Sequence, residues 1–344
     1  MAWEKLGTAS VTSTAVNTSW KELGRTTLGS AGDAINVTGL TAKDNMMVLT
    51  HIIHSGQIQN NMRFNNDSGN NYGNKYSNDG GSDSNFTSQA NIVNSDTYTS
   101  DVFQLDNVIN NNSSQEKLVI GGLVAENVSG AGTAPRRTEY AGKWANTSDS
   151  ITQVNLINTG SGDFDTGSEV VVIGYDNDEA DSGTNYWQEL ADLELSSAGD
   201  TLDTSTISAK KYLWIQAFIP EGAAHHGYIY FNNDTGANYA RRGSINAGSD
   251  ITTAPDNEIN WSHATNSAKY LNMFVINKSD KEKLCIAEYM DYNSAGAGNA
   301  PNRIEWVYKW ANTSAQISSV KLYNQENSST DFPSGTLLKV WGFD

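Results

Sequence analysis

Two acidic turns carry the densest sets of oxygen donors in the chain, Asn65-Asn66-Asp67-Ser68-Gly69 and Asn232-Asn233-Asp234-Thr235-Gly236. Each is followed by a tyrosine, Tyr72 or Tyr239. Closely spaced carboxylate and amide oxygens suit calcium, and an exposed ring beside such a turn could stack on a sugar. The same residues also build turns without a ligand, because Asn and Asp side chains bond nearby backbone and Gly accepts the left-handed position. Neither segment has a twelve-residue loop or a terminal bidentate Glu. A structural turn is therefore the expectation for Asn66, Asp67, Asn233 and Asp234, with no cofactor, and calcium is the alternative.

Other reactive residue types fall into poorer patterns. His51 and His54 lie three apart on an expected strand, and His225 and His226 are adjacent, so each pair points to opposite faces. The second half has Phe218 and Glu221 where His51 and His54 stand, so no shared zinc site is expected. Arg137-Thr-Glu139 and Arg303-Ile-Glu305 place opposite charges on one face of a strand, which reads as a solvated ion pair of little energetic weight. The single cysteine, Cys285, stands where the first half has Val119 and reads as a small core residue. The chain has no nucleophile elbow, phosphate loop or dinucleotide fingerprint. Acids are plentiful, but a facing pair for glycoside hydrolysis is a matter of cleft geometry, so no catalytic residue is assigned.

The elements that must position these residues occur twice. Trp20 answers Trp187, Ser30-Ala31-Gly32-Asp33 answers Ser197-Ala198-Gly199-Asp200, and Phe64-Asn65-Asn66-Asp67 answers Phe231-Asn232-Asn233-Asp234, all at an offset of 167. The offset is 166 for Lys143-Trp144-Ala145-Asn146 against Lys309-Trp310-Ala311-Asn312, and 168 for Gly174-Tyr175-Asp176 against Gly342-Phe343-Asp344. Such a period is too long for a solenoid unit, so each copy is read as a domain. The division is an N-terminal arm at 1–19, a first repeat at 20–176, a linker at 177–186 and a second repeat at 187–344.

Strand-like segments follow one another between turn signals, with no long helical period. In the first copy they fall near 20–28, 33–40, 45–54, 57–66, 101–110, 117–126, 136–145, 150–158 and 169–175. At 302–311, Ile304, Trp306, Tyr308 and Trp310 alternate with Arg303, Glu305, Val307 and Lys309, so one face is apolar and the other largely charged. This predicts an all-β chain of two tandem, jelly-roll-like antiparallel β-sandwiches, with a barrel as the alternative.

The chain has 344 residues and a formal net charge of −17. That balance gives no basic stripe for nucleic acid and opposes anionic membrane surfaces. No apolar run approaches a membrane span, and the start, Met-Ala-Trp-Glu-Lys-Leu-Gly, does not read as a secretory signal.

The segments 22–33, 63–69, 115–121 and 142–147 (Glu-Leu-Gly-Arg-Thr-Thr-Leu-Gly-Ser-Ala-Gly-Asp, Arg-Phe-Asn-Asn-Asp-Ser-Gly, Gln-Glu-Lys-Leu-Val-Ile-Gly and Gly-Lys-Trp-Ala-Asn-Thr) carry a resemblance. The chain resembles a family of uncharacterised virion-type proteins of tailed bacteriophages, especially marine ones, here as a tandem duplication. The resemblance implies a non-enzymatic viral structural protein, a capsid decoration or a component of a tail or fibre, made in the host cytoplasm and located in the virion. Expected partners are other virion proteins in a homo-oligomer or capsid lattice, with host surface glycans as a further class. The alternatives are a double-jelly-roll capsid subunit and a tandem carbohydrate-binding module, the latter using Tyr72 and Tyr239 as platforms.

Overall fold

The structure, a computed structural model, describes residues 20–93, 96–177, 186–262, 265–292, 296–325 and 331–344. The arm expected at 1–19 and most of the linker expected at 177–186 lie outside the described residues. Among the described residues there is no helix, hence none long and apolar enough to cross a membrane.

Each repeat is an antiparallel β-sandwich of one large and one small sheet. In the first, the large sheet runs in the order Lys21–Thr27, Glu169–Tyr175, Asn45–Ile52, Val102–Ile109, Lys117–Ala125, Arg136–Trp144, Tyr72–Asn78 and Ser84–Gln89. Its small sheet is Ala34–Val37, Val154–Asn158, Asn60–Phe64 and Ile92–Val93. The chain crosses repeatedly between the two sheets, which gives the jelly-roll-like path.

The second repeat follows the same order. Gln188–Glu194, Leu337–Phe343, Tyr212–Ile219, Lys269–Ile276, Lys283–Asp291, Asn302–Trp310, Tyr239–Ile245 and Ile251–Asp256 form its large sheet. Thr201–Asp203, Val320–Asn324, Gly227–Phe231 and Ile259–Asn260 form the small one.

Alternation along the strands decides which side chains enter each sandwich. Ile304, Trp306, Tyr308 and Trp310 point inward and join Leu213, Ile215, Phe231, Tyr239 and Cys285 in the second core. The first core is built likewise from Val48, Phe64, Tyr72, Val119, Leu123, Trp144 and Leu156. Trp144 and Trp310 are buried, and each lies under a lysine of the neighbouring strand, Lys117 at 5.3 Å and Lys283 at 5.6 Å from the ring centroid. Both lysine ammoniums also donate to backbone carbonyls, of Asn146 and Asn312 respectively, so the buried charge is solvated by the fold itself.

The opposite faces of the large sheets are also covered, and they cover each other. Met47, Leu49, Phe103, Leu105, Val124, Val171 and Ile173 of the first repeat form one apolar cluster with Tyr212, Phe274, Ile276, Leu284, Val307, Trp341 and Phe343 of the second. Thus Val307 and Lys309, expected on a charged solvent face, are both buried. The described residues form four layers, small sheet, large sheet, large sheet, small sheet, and three apolar cores.

Candidate functional site

The two acidic turns are near-identical and their donors are used internally. Asn65, Asn66, Asn232 and Asn233 all have positive φ between 52° and 56°, a conformation that Asn tolerates better than most residues. Asp67 Oδ1 accepts from Gly69 N–H at 2.8 Å, and Asp67 Oδ2 accepts from Trp144 Nε1–H at 2.7 Å and Asn71 Nδ2 at 2.9 Å. Asp234 repeats this with Gly236 at 2.9 Å, Trp310 at 2.7 Å and Asn238 at 2.9 Å. Burial pushes the Asp67 carboxyl up, but the Trp144, Asn71 and Gly69 bonds outweigh it and hold the group below its ordinary range.

Both turns therefore anchor the ring nitrogen of a core tryptophan. Replacing Asp67 by Ala should cost about 1–3 kcal/mol by leaving the indole and Gly69 N–H groups without their acceptor. Thermal unfolding checks this, and a chelator should leave the wild-type melting point where it was. A large chelator-induced drop would return calcium to the turn.

Tyr72 and Tyr239 are buried, which corrects the sugar-platform assignment for both rings. Each stacks on its tryptophan with ring centroids 6.3 Å apart, and each hydroxyl is bonded to the backbone of Phe64 or Phe231. Neither ring face is open to a ligand. Alternation alone could not show this, since the strand Tyr72–Asn78 is too polar to reveal which face is inside.

The histidines are likewise separated. His51 is buried in the joint between the sandwiches, where burial first and then the Lys278 charge lower it to about 3. His54 pairs with Asp101 at 3.1 Å. His225 accepts from Lys269 Nζ at Nδ1 (2.9 Å) and so donates from Nε2 to the Pro220 carbonyl (3.1 Å), and burial followed by the Lys269 charge lowers it to about 4. Among the described residues no three His, Cys, Asp or Glu side chains gather to hold a metal.

The charged groups concentrate instead at the joint. Arg137, expected to be solvated, is buried there, because its strand faces the second sandwich rather than water. Its guanidinium meets Asp250 at 2.6 Å, Glu305 at 3.4 Å and its own neighbour Glu139. Arg242 reaches back to the Pro135 carbonyl at 2.8 Å and to Asp79 at 3.4 Å. On the opposite side, Lys211 meets Glu169 at 2.7 Å and Lys281 meets Asp101 at 3.0 Å. Burial pushes Glu169 up, but bonds from Lys211 and Thr27 prevail and keep its carboxyl below the usual range.

At Gly122 the two large sheets come close, and a Cβ there would stand in ordinary contact with Ile286 at 3.7 Å. Beside this contact a cleft of about 360 Å³ opens, lined by Leu105, Asn107, Ile120, Phe274, Glu288 and Glu305 among others. Glu288 and Glu305 are directly opposite in register, and burial first and then the Glu305 charge raise Glu288. A facing carboxyl pair can share a proton or hold a cation, but Glu305 is already bonded to Arg303 at 3.0 Å and faces Arg137.

A further polar cluster, which sequence reading missed, lies inside the first sandwich. Asn60 donates to Gln104, Gln104 donates to Asp106 Oδ2 and to the Tyr140 hydroxyl (both 2.8 Å), and Tyr140 donates to Asp106 Oδ1. A Cβ at Gly121 would collide with Asp106 and Tyr140, so glycine is required there. The second repeat has Leu271, Met273 and Trp306 at the positions of Gln104, Asp106 and Tyr140, and Ala287 at that of Gly121. The signal was Gln104 and Asp106 alternating with Phe103 and Leu105, which looks like a polar outer face.

Burial drives the Asp106 carboxyl up to about 8, against the lowering effect of its Gln104 bond. An acid whose folded pKa is raised binds more protons folded than unfolded, so this group's contribution to stability falls as pH rises from about 4 to about 8. Asp106→Asn should remove this component, so wild type loses on the order of a few kcal/mol more than the variant between about pH 5 and pH 8. Urea midpoints across that range measure it, and parallel curves for the two proteins would refute it.

No family model matches the chain, and no curated protein matches it. Among solved structures, the mouse laminin alpha1 chain, domains LG4-5, aligns over 96% of this chain and 92% of its own, at 9% identity and a TM-score of 0.20. OccAB4 of Acinetobacter baumannii aligns over 88% of this chain and 98% of its own, at 8% identity and a TM-score of 0.13. Neither likeness carries a functional argument.

Proposed function

We propose that this chain is a non-enzymatic structural component of a virus particle, a capsid decoration or a tail- or fibre-associated protein. The observation that supports this reading is the four-layer build, in which two copies of one sandwich meet through an apolar joint with buried ion pairs. A joint of this kind holds the two sandwiches as one block, which suits a part built into a larger assembly. The side chains with chemical potential support the same reading: Asp67 and Asp234 hold tryptophans, Tyr72 and Tyr239 fill cores, and Arg137 seals the joint.

The test is quantitative mass spectrometry of density-purified particles of the encoding virus, followed by location of the chain's density on the particle. The proposal expects the chain at a fixed, multiple copy number per particle. Its absence from purified particles, with the protein recovered free in the lysate, would overturn the reading.

A further inference from the structure

The joint between the two sandwiches treats equivalent positions unequally. In the second repeat, Leu284 is 1% exposed and Ile286 packs against the joint, whereas their first-repeat equivalents, Leu118 and Ile120, are each 61% exposed. The opposite end of the sheet shows the reverse. Phe103 and Val124 of the first repeat are fully buried in the joint, while their equivalents Tyr270 and Met290 are 37% and 48% exposed. His51 is buried there, and its counterpart Phe218 is 37% exposed.

A joint with two-fold symmetry would bury equivalent residues equally. This one is heterologous: one end of the first sandwich's large sheet meets the other end of the second's. Each sandwich therefore retains, unused, the half that its twin employs. The two unused halves each expose large apolar side chains, with a charged neighbour beside them, Lys143 opposite Leu118 and Arg303 opposite Met290. Phe218, Tyr270 and Met290 are consecutive register partners on three neighbouring strands, and Leu118 and Ile120 stand on one face of Lys117–Ala125. Ile120 also borders the open cleft, so the first sandwich's free end is continuous with the existing joint.

We infer that the chain self-associates head to tail, the Phe218–Tyr270–Met290 end of one copy docking on the Leu118–Ile120 end of the next. This rests on the joint itself and not on the virion reading. Heterologous contacts do not close unless their rotation happens to form a ring, so the product is a ring or an open filament. The free ends keep only part of the charge pairing of the internal joint: Arg137 and Asp250 have their equivalents in Arg303 and Asp83, both exposed. Where that joint has Lys211 with Glu169 and Lys281 with Asp101, the free ends have Asp44 with Leu337 and Gln115 with Ala268. With two of those pairs missing, association between chains is weaker than the internal joint.

Sedimentation velocity of the full chain over a wide concentration range tests this. The wild type should grow in mass with concentration. Leu118→Asp with Ile120→Asp should remain monomeric, as should Tyr270→Asp with Met290→Asp. Mixed together, the two variants should stop at a one-to-one dimer, because each keeps the end the other lacks. Melting curves establish that the variants are folded, and Ser at the same positions replaces Asp if either is not. A wild type that stays monomeric at every concentration, a variant that still self-associates, or a mixture that does not pair would each overturn the inference.

Discussion

Trp310→Ala is expected to destabilise the chain by about 3–5 kcal/mol, the range for truncating a large buried aromatic. The ring is enclosed on all sides. Tyr239 stacks against it at 6.3 Å, Phe231 meets it edge-on at 5.9 Å, and the Lys283 ammonium lies over it at 5.6 Å. Truncation opens a cavity among these groups and also removes the Nε1–H that Asp234 accepts. Trp310→Phe keeps most of the volume and loses the bond, so it should cost less. Urea unfolding measures both, and a Trp310→Ala loss below about 1 kcal/mol would mean that the core does not depend on this ring. Trp144→Ala should behave in the same way in the first sandwich, since Tyr72, Phe64, Lys117 and Asp67 surround it equivalently.

Severed into 20–177 and 186–344, the chain should yield two folded fragments that bind each other one to one. Each half has a complete pair of sheets and its own core, so neither needs the other to form. Separation, however, bares Leu49, Phe103 and Val171 on one half and Phe274, Leu284 and Trp341 on the other. Titration calorimetry should show a complex that weakens as salt rises, because Lys211–Glu169 and Lys281–Asp101 cross the joint. Leu284→Asp in the second fragment should weaken binding by about 2–4 kcal/mol, the effect of disrupting a central buried contact. Fragments that fold but ignore each other would show that the four-layer arrangement has little stability of its own. Fragments that fold only when mixed would show that the cores are shared.

Much of the fold was legible because a strand reports its two faces in alternation. Ile304, Trp306, Tyr308 and Trp310 announced an interior, and the Asn-Asp-x-Gly segments announced turns, which the structure uses to pass from the small sheet to the large one. The hairpin formed by Tyr72–Asn78 and Ser84–Gln89 was missed because it lies at a sheet edge, where few side chains are covered and polar residues fill most positions. Glu139 was read correctly as a partner of Arg137, but the water expected around that pair is replaced by Asp250 and Glu305 of the second repeat.

By itself the sequence determined the duplication, the all-β class and the inward phase of the tryptophan-bearing strands. It also determined the turns around Asp67 and Asp234, where donor and acceptor lie within a few residues. Tertiary structure alone decided what covers the second face of each large sheet. That face carries Phe103 and Leu105 in one repeat and Phe274 and Leu284 in the other, residues far apart along the chain. Alternation separates a strand's two faces, but the hydrophobic effect is non-directional, so either an apolar or a mixed face can be buried once a partner surface arrives. The placement of Asp106 inside a core and of Arg137 inside a joint follows from that arrival, which no local pattern encodes.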